Sequence, residues 1–184
     1  MPAEALAFVQ FIHPGNEHGP DSGGDVKSWN RGSHRRKFLL ARGTYLLDGK
    51  RREGRIAFWG EWEPPSRIVA RYPAEGDLPR FVHEPFLERP SGFRGLQNTD
   101  PYVFGDRFLY TGCQQHTNGG RTETQLRRLN RGSLILFGSC RDLSRFVVDT
   151  VFVVAGHVDH SFHDHEDVLR EVVDDLYRTV TLGP

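Results

Sequence analysis

Residues Phe146 to Val154 read FVVDTVFVV, the strongest strand signal in the chain. β-Branched and aromatic side chains fill it, and such residues suit a pleated, half-buried surface. Just upstream, Ser133 to Gly138 (SLILFG) is a near-continuous apolar run, the pattern of a strand buried on both faces. Asp149 interrupts the apolar run, and a buried aspartate needs a partner, either an arginine or backbone amides. These two runs make a sheet the centre of the fold.

Working outward, Leu6 to Ile12 (LAFVQFI) reads as a buried strand, and Lys37 to Leu47 as one strand, or two broken near Gly43. Arg55 to Trp62 (RIAFWGEW) is a third. Arg67 to Tyr72 follows Pro64-Pro65 and reads as an edge strand. Pro79 to His83 is short, and Tyr102 to Thr111 reads as a strand bent at Gly105-Asp106. Two helices are expected. One spans Thr122 to Arg131, with capping-box spacing from Thr122 to Gln125 and Gly132 beyond its end. The other spans about Glu166 to Arg178, where Val168, Leu169, Val172, Val173 and Leu176 form a one-sided apolar stripe. Many strands and few helices predict an α+β domain, a small mostly antiparallel β-barrel or curved sheet with an amphipathic C-terminal helix. Regular βαβ alternation, GxGxxG and Walker motifs are absent, which argues against Rossmann-type and P-loop chemistry.

The chain has 184 residues, so a single domain over 1–184 is expected. The turn-rich stretch from Pro14 to Ser33 reads as a long loop or lid. No apolar stretch approaches the ~18 residues of a membrane span. The N-terminus lacks the basic region of a signal peptide, and only Cys113 and Cys140 are present. The expectation is a cytoplasmic protein with no membrane partner. Basic and acidic residues balance at 24 each, which removes any global commitment to nucleic acid. Their layout is uneven. Lys27 to Arg55 holds ten basic side chains against Asp48 and Glu53, and His157 to Arg178 holds seven acids against Arg170 and Arg178. The first region is a candidate anion-binding surface.

Four segments carry residues fit for chemistry. In Phe58-Trp59-Gly60-Glu61-Trp62-Glu63, strand alternation puts Trp59, Glu61 and Glu63 on one face. An indole beside two carboxylates can stack on a nucleobase and accept from its exocyclic amines. The same tryptophans can instead fill the core. In Gln97-Asn98-Thr99-Asp100-Pro101, amides suited to reading base edges precede a carboxylate held extended by the proline. His157, Asp159, His160, His163 and His165 are metal-capable, but their spacing matches no strong metal signature. His13 and His18 flank a strand end, and Arg35 and Arg36 are candidate phosphate ligands.

The helix-then-strand layout Leu126-x-x-Leu129-x-x-Gly132-Ser133-Leu134-Ile135-Leu136-Phe137-Gly138-Ser139 leads into Phe146 to Val154. With Phe58 to Glu63 upstream, it resembles the PUA superfamily, in particular its ASCH and EVE-like members. The resemblance implies a compact barrel that recognises RNA or modified bases in a cleft, and a few ASCH-like members are hydrolytic. It implies that Trp59, Trp62 and Glu61 line the cleft, with Gln97 and Asn98 nearby.

The sequence therefore predicts a recognition domain for a nucleotide, a modified nucleobase or nucleic acid. Its ligand-binding set is Trp59, Trp62, Glu63, Gln97, Asn98, Thr99, Arg35 and Arg36. The alternative is a hydrolase or transferase on a nucleotide-like substrate at the same pocket. Glu61, Glu63 or Asp100 would then be the acid or base, and His13 or His18 a second proton carrier. A protein-interaction domain and a metal-binding domain at the histidine-rich loop are further alternatives.

Overall fold

The computed structural model describes residues 6–13, 17–18, 36–75, 78–87, 97–104, 107–111, 115–140, 144–161 and 163–182. Nine strands form three sheets among these residues: β1 (Phe8–His13), β2 (Lys37–Leu47), β3 (Lys50–Gly60), β4 (Ser66–Arg71), β5 (Phe81–Pro85), β6 (His116–Thr117), β7 (Thr122–Glu123), β8 (Leu134–Cys140) and β9 (Phe146–Val153). One sheet has the order β1-β8-β9, the second β3-β2-β5-β4, and the third is the β6-β7 pair. Pairings β1–β8 and β2–β5 are parallel and the other four are antiparallel. None of the three closes into a barrel among the described residues.

The expected centre holds: β8 is the middle strand of its sheet, with β9 beside it. Burial on both faces does not. Ile135, Phe137 and Ser139 face inward, while Leu134 is exposed. β1 and β9 are edge strands, so Phe8, Ile12, Val148, Val151 and Val153 stay exposed despite their apolar runs. β4 is an edge strand, as the preceding prolines require.

β2 and β3 form one long hairpin. Asp48 (φ 51°) and Gly49 (φ 70°) both take the left-handed region, as a two-residue turn that matches strand twist demands. An Asp-Gly pair meets that demand, and it extends β3 back to Lys50.

Aromatic rings from both large sheets interlock. Phe137 of β8 lies 4.8 Å from Trp59 of β3, 5.0 Å from Phe11 of β1 and 5.2 Å from Phe152 of β9, centroid to centroid. Such tilted and edge contacts suit the ring quadrupoles. A second group joins Tyr102 to Phe104 and Tyr177, and Trp62 to Phe104.

The two expected helices are corrected. Thr122 belongs to β7, opposite Thr117, and Thr124 accepts from Leu126 N to start a single 3-10 turn, Gln125–Arg128. The C-terminal stripe is split into α1 (His165–Leu169) and α2 (Asp175–Tyr177), which runs on as a π-helical turn over Arg178–Leu182. Asp174 explains the break. Its backbone is extended, and its carboxylate accepts from Tyr177 N at 2.7 Å and from the Tyr102 hydroxyl at 3.1 and 3.2 Å. The side chain therefore caps a new helix instead of continuing the old one. The stripe still meets the core: Leu169 and Val173 are buried, and Val172 and Leu176 pack against them. Between Tyr102 and Thr111 the described pairing is one bridge, Tyr102 to Leu109.

Candidate functional site

Beyond β3 the chain stays extended. Glu61 N donates to the Asp100 carbonyl at 3.0 Å, and Glu63 N to the Asn98 carbonyl at 2.9 Å. This backbone pairing brings the two predicted polar segments together. Side chains reinforce it: the Asn98 amide donates to Glu61 Oε2 at 2.5 Å, and Asn98 N donates to Glu63 Oε2 at 2.7 Å. Asn98 Oδ1 accepts from Asp100 N at 2.9 Å, and Asp100 Oδ1 accepts from Thr111 N at 3.0 Å and its hydroxyl at 3.3 Å. The Thr99 and Thr181 hydroxyls share a bond of 2.6 Å. Glu61, Asn98, Thr99 and Asp100 are all buried. They form a polar seam that satisfies itself, as buried polar groups must.

Gln97 is the exception. Its side chain is fully buried, and among the described residues neither its Oε1 nor its Nε2 has a hydrogen-bond partner.

The tryptophans sit differently from the stacking role predicted for them. Trp59 is 1% and Trp62 2% exposed, packed on Phe137 and Phe104 respectively. Strand alternation ends at Gly60, so Trp59 and Trp62 both turn inward. They are core residues.

Arg36 is also internal. Its Nη1 donates to Asp149 Oδ2 at 2.5 Å and to the Ser139 hydroxyl at 3.3 Å. This is the arginine partner that Asp149 needs, and it commits Arg36 to the interior. Arg35 lies outside the described residues, as does the side chain of His13, whose backbone ends β1 opposite Ser139. In the histidine-rich segment, Asp159 pairs with Arg127 at 2.6 Å, and His157, His160 and His163 are exposed. Among the described residues no group of three or more His, Cys, Asp or Glu is placed to hold a metal ion.

Two further features draw on the basic Lys27–Arg55 region, and Ser66 and His83 in the first of them were not singled out from sequence. The first lies where β2, β4 and β5 meet. Lys37 Nζ donates to the Ser66 hydroxyl at 3.1 Å, and Ser66 Oγ lies 3.3 Å from His83 Nδ1. Burial pulls Lys37 down to about 8, against the opposing pull of nearby Glu63. Burial, Lys37 and His18 together lower His83 to about 4. The second is the tip of the β2–β3 hairpin. Lys50, Arg51 and Arg52 are exposed there, and none has an ion-pair partner among the described residues. Tyr45, 39% exposed, sits directly across from Arg52.

Compared with known proteins, the chain matches no family model, no curated protein and no solved structure. No helix among the described residues is long and apolar enough to cross a membrane.

Proposed function

We propose that the chain is a nucleic-acid recognition domain whose basic hairpin engages the phosphate backbone. The observation that carries this reading is the hairpin tip. Three cations, Lys50, Arg51 and Arg52, stand at the tip without carboxylate partners among the described residues, and Arg52 lies directly across from the exposed Tyr45. Cations that track phosphates, next to an aromatic face for a base, are the ingredients of single-strand binding. The PUA-like sequence pattern accords with the same class of ligand. Glu61 and Asp100 bond within the chain, which favours the binding reading over proton transfer at those carboxylates.

The test is fluorescence polarisation of labelled single-stranded RNA and DNA oligomers across a salt series. Three phosphate contacts predict a log–log salt slope of about −2. Replacing Lys50, Arg51 and Arg52 together by alanine removes most of that slope, and Tyr45→Ala weakens binding about 10-fold. Salt-independent binding, or none to either oligomer, defeats the reading.

A further inference from the structure

We infer that Ser66 is a nucleophile activated by Lys37, and that this corner of the fold hydrolyses an ester or amide through a Ser66 acyl intermediate. This goes beyond the nucleic-acid reading, because the site uses the opposite end of β2 from the hairpin tip.

Three observations converge on Ser66. It opens β4, one of the two edge strands of its sheet, and it is half-buried, so a substrate can approach from the unpaired side. The Pro64-Pro65 turn that aims it is fixed, since the Pro65 carbonyl accepts from Trp62 Nε1 at 3.3 Å and from Phe86 N at 2.9 Å. Lys37 and His83 reach its hydroxyl from two other strands, at 3.1 and 3.3 Å.

The lysine is the informative member. It is only 6% exposed, and among the described residues no carboxylate lies within ion-pairing distance of its Nζ. Burying an ammonium is costly, so burial lowers the hold of Lys37 on its proton and brings the neutral amine within reach near pH 8. A neutral amine hydrogen-bonded to a serine hydroxyl is a general base. The groups facing it are Ser66 of β4, His83 of β5, and Glu63, whose charge draws the amine back toward its protonated form. His18 stands beyond, its ring 6.0 Å from that of His83. His83 Nδ1 lies 3.3 Å from Ser66 Oγ, and the His18 backbone holds the His83 ring from its other side, so the imidazole orients the hydroxyl.

The chemistry balances with water as the only co-reactant. Ser66 Oγ forms a bond to the substrate carbonyl carbon while its proton passes to Lys37 Nζ. The tetrahedral adduct collapses, the bond from carbon to the leaving group breaks, and the Lys37 ammonium returns the proton to that group. Water then attacks the acyl-serine, giving a proton to Lys37. The carbon–Oγ bond breaks, Lys37 reprotonates Ser66, and a carboxylic acid is released.

A fluorophosphonate probe reads this directly on the full chain, because it forms a stable Oγ–phosphorus bond with loss of fluoride. The expected result is one adduct per chain, mapped to Ser66 by peptide mass and absent in Ser66→Ala. Its rate climbs as pH rises through about 8, where the amine form of Lys37 appears. Lys37→Arg keeps the charge but not the base, and it slows labelling about 100-fold and flattens the pH profile. Circular dichroism on each variant checks that it is folded. No adduct on the wild-type chain, an adduct that survives Ser66→Ala, or a folded Lys37→Arg chain that labels at the wild-type rate overturns the inference. RNA binding is read separately, so neither result decides the other.

Discussion

The Arg36 guanidinium meets the Asp149 carboxylate at 2.5 Å inside the protein, joining the residue just before β2 to the middle of β9. The pair ties together the two larger sheets, and Ser139 of β8 adds a second acceptor for the same nitrogen. Both side chains are nearly solvent-free, so removing one strands a charge. Asp149→Ala is expected to cost about 3–5 kcal/mol by urea denaturation. Replacing both, with Arg36→Met and Asp149→Leu, is expected to recover most of that loss. A double variant no more stable than Asp149→Ala would mean the pair contributes more than mutual neutralisation.

Gly138 marks the irregular step in the β8–β9 register. A β-carbon there would sit 2.1 Å from the Val147 carbonyl oxygen and 2.8 Å from the Phe146 ring. Backbone cannot give way as a flexible side chain can. Gly138→Ala is therefore expected to destabilise the protein by about 3 kcal/mol or to push β9 off its register. A melting temperature within a degree or two of wild type would show that the strand absorbs the clash.

Much of the framework was legible because burial patterns survive in sequence. The apolar runs of β8 and β9 mark adjacent strands, and Asp149 among them forecasts its arginine. Edge position was less legible, since Val148, Val151 and Val153 read as core and are exposed. The hairpin had a local signal, Asp48-Gly49, in a segment whose charges masked the strand. Of the polar contacts, Asn98 beside Glu61 was expected from the PUA-like pattern and is present, whereas Lys37 to Ser66 and His83 was not foreseeable. Those contacts are products of tertiary pairing, with β5 lying parallel to β2 and antiparallel to β4. A lone serine after two prolines carries no pattern until that register exists.

The tryptophans give a direct check on the core assignment. With Trp59 wedged between Phe11 and Phe137, Trp59→Ala is expected to cost about 3–5 kcal/mol, and Trp59→Phe far less. Neither substitution is expected to change the affinity of a folded chain for RNA. A selective loss of RNA binding in a folded Trp59→Phe protein would return this indole to the ligand site.

His83 and Lys37 give stability an unusual pH dependence. Folded His83 stays neutral down to about 4, while the unfolded chain takes up a proton near 6.5. Between those values unfolding binds a proton, so stability falls as pH drops through that window, by about 2 kcal/mol. Lys37 acts in the same direction at the alkaline end. Folded Lys37 loses its proton near 8, and the unfolded side chain keeps its own to about 10.5. Unfolding again binds a proton, so this residue adds stability as pH rises from about 8 toward 10.5. Melting temperatures across pH 4–10 in the wild type, His83→Gln and Lys37→Met separate the two. His83→Gln should flatten the acid limb alone, and Lys37→Met the alkaline limb alone. A Lys37→Met protein that keeps the wild-type alkaline slope would mean that Lys37 is protonated in the fold, and the amine would then be unable to act as the base for Ser66.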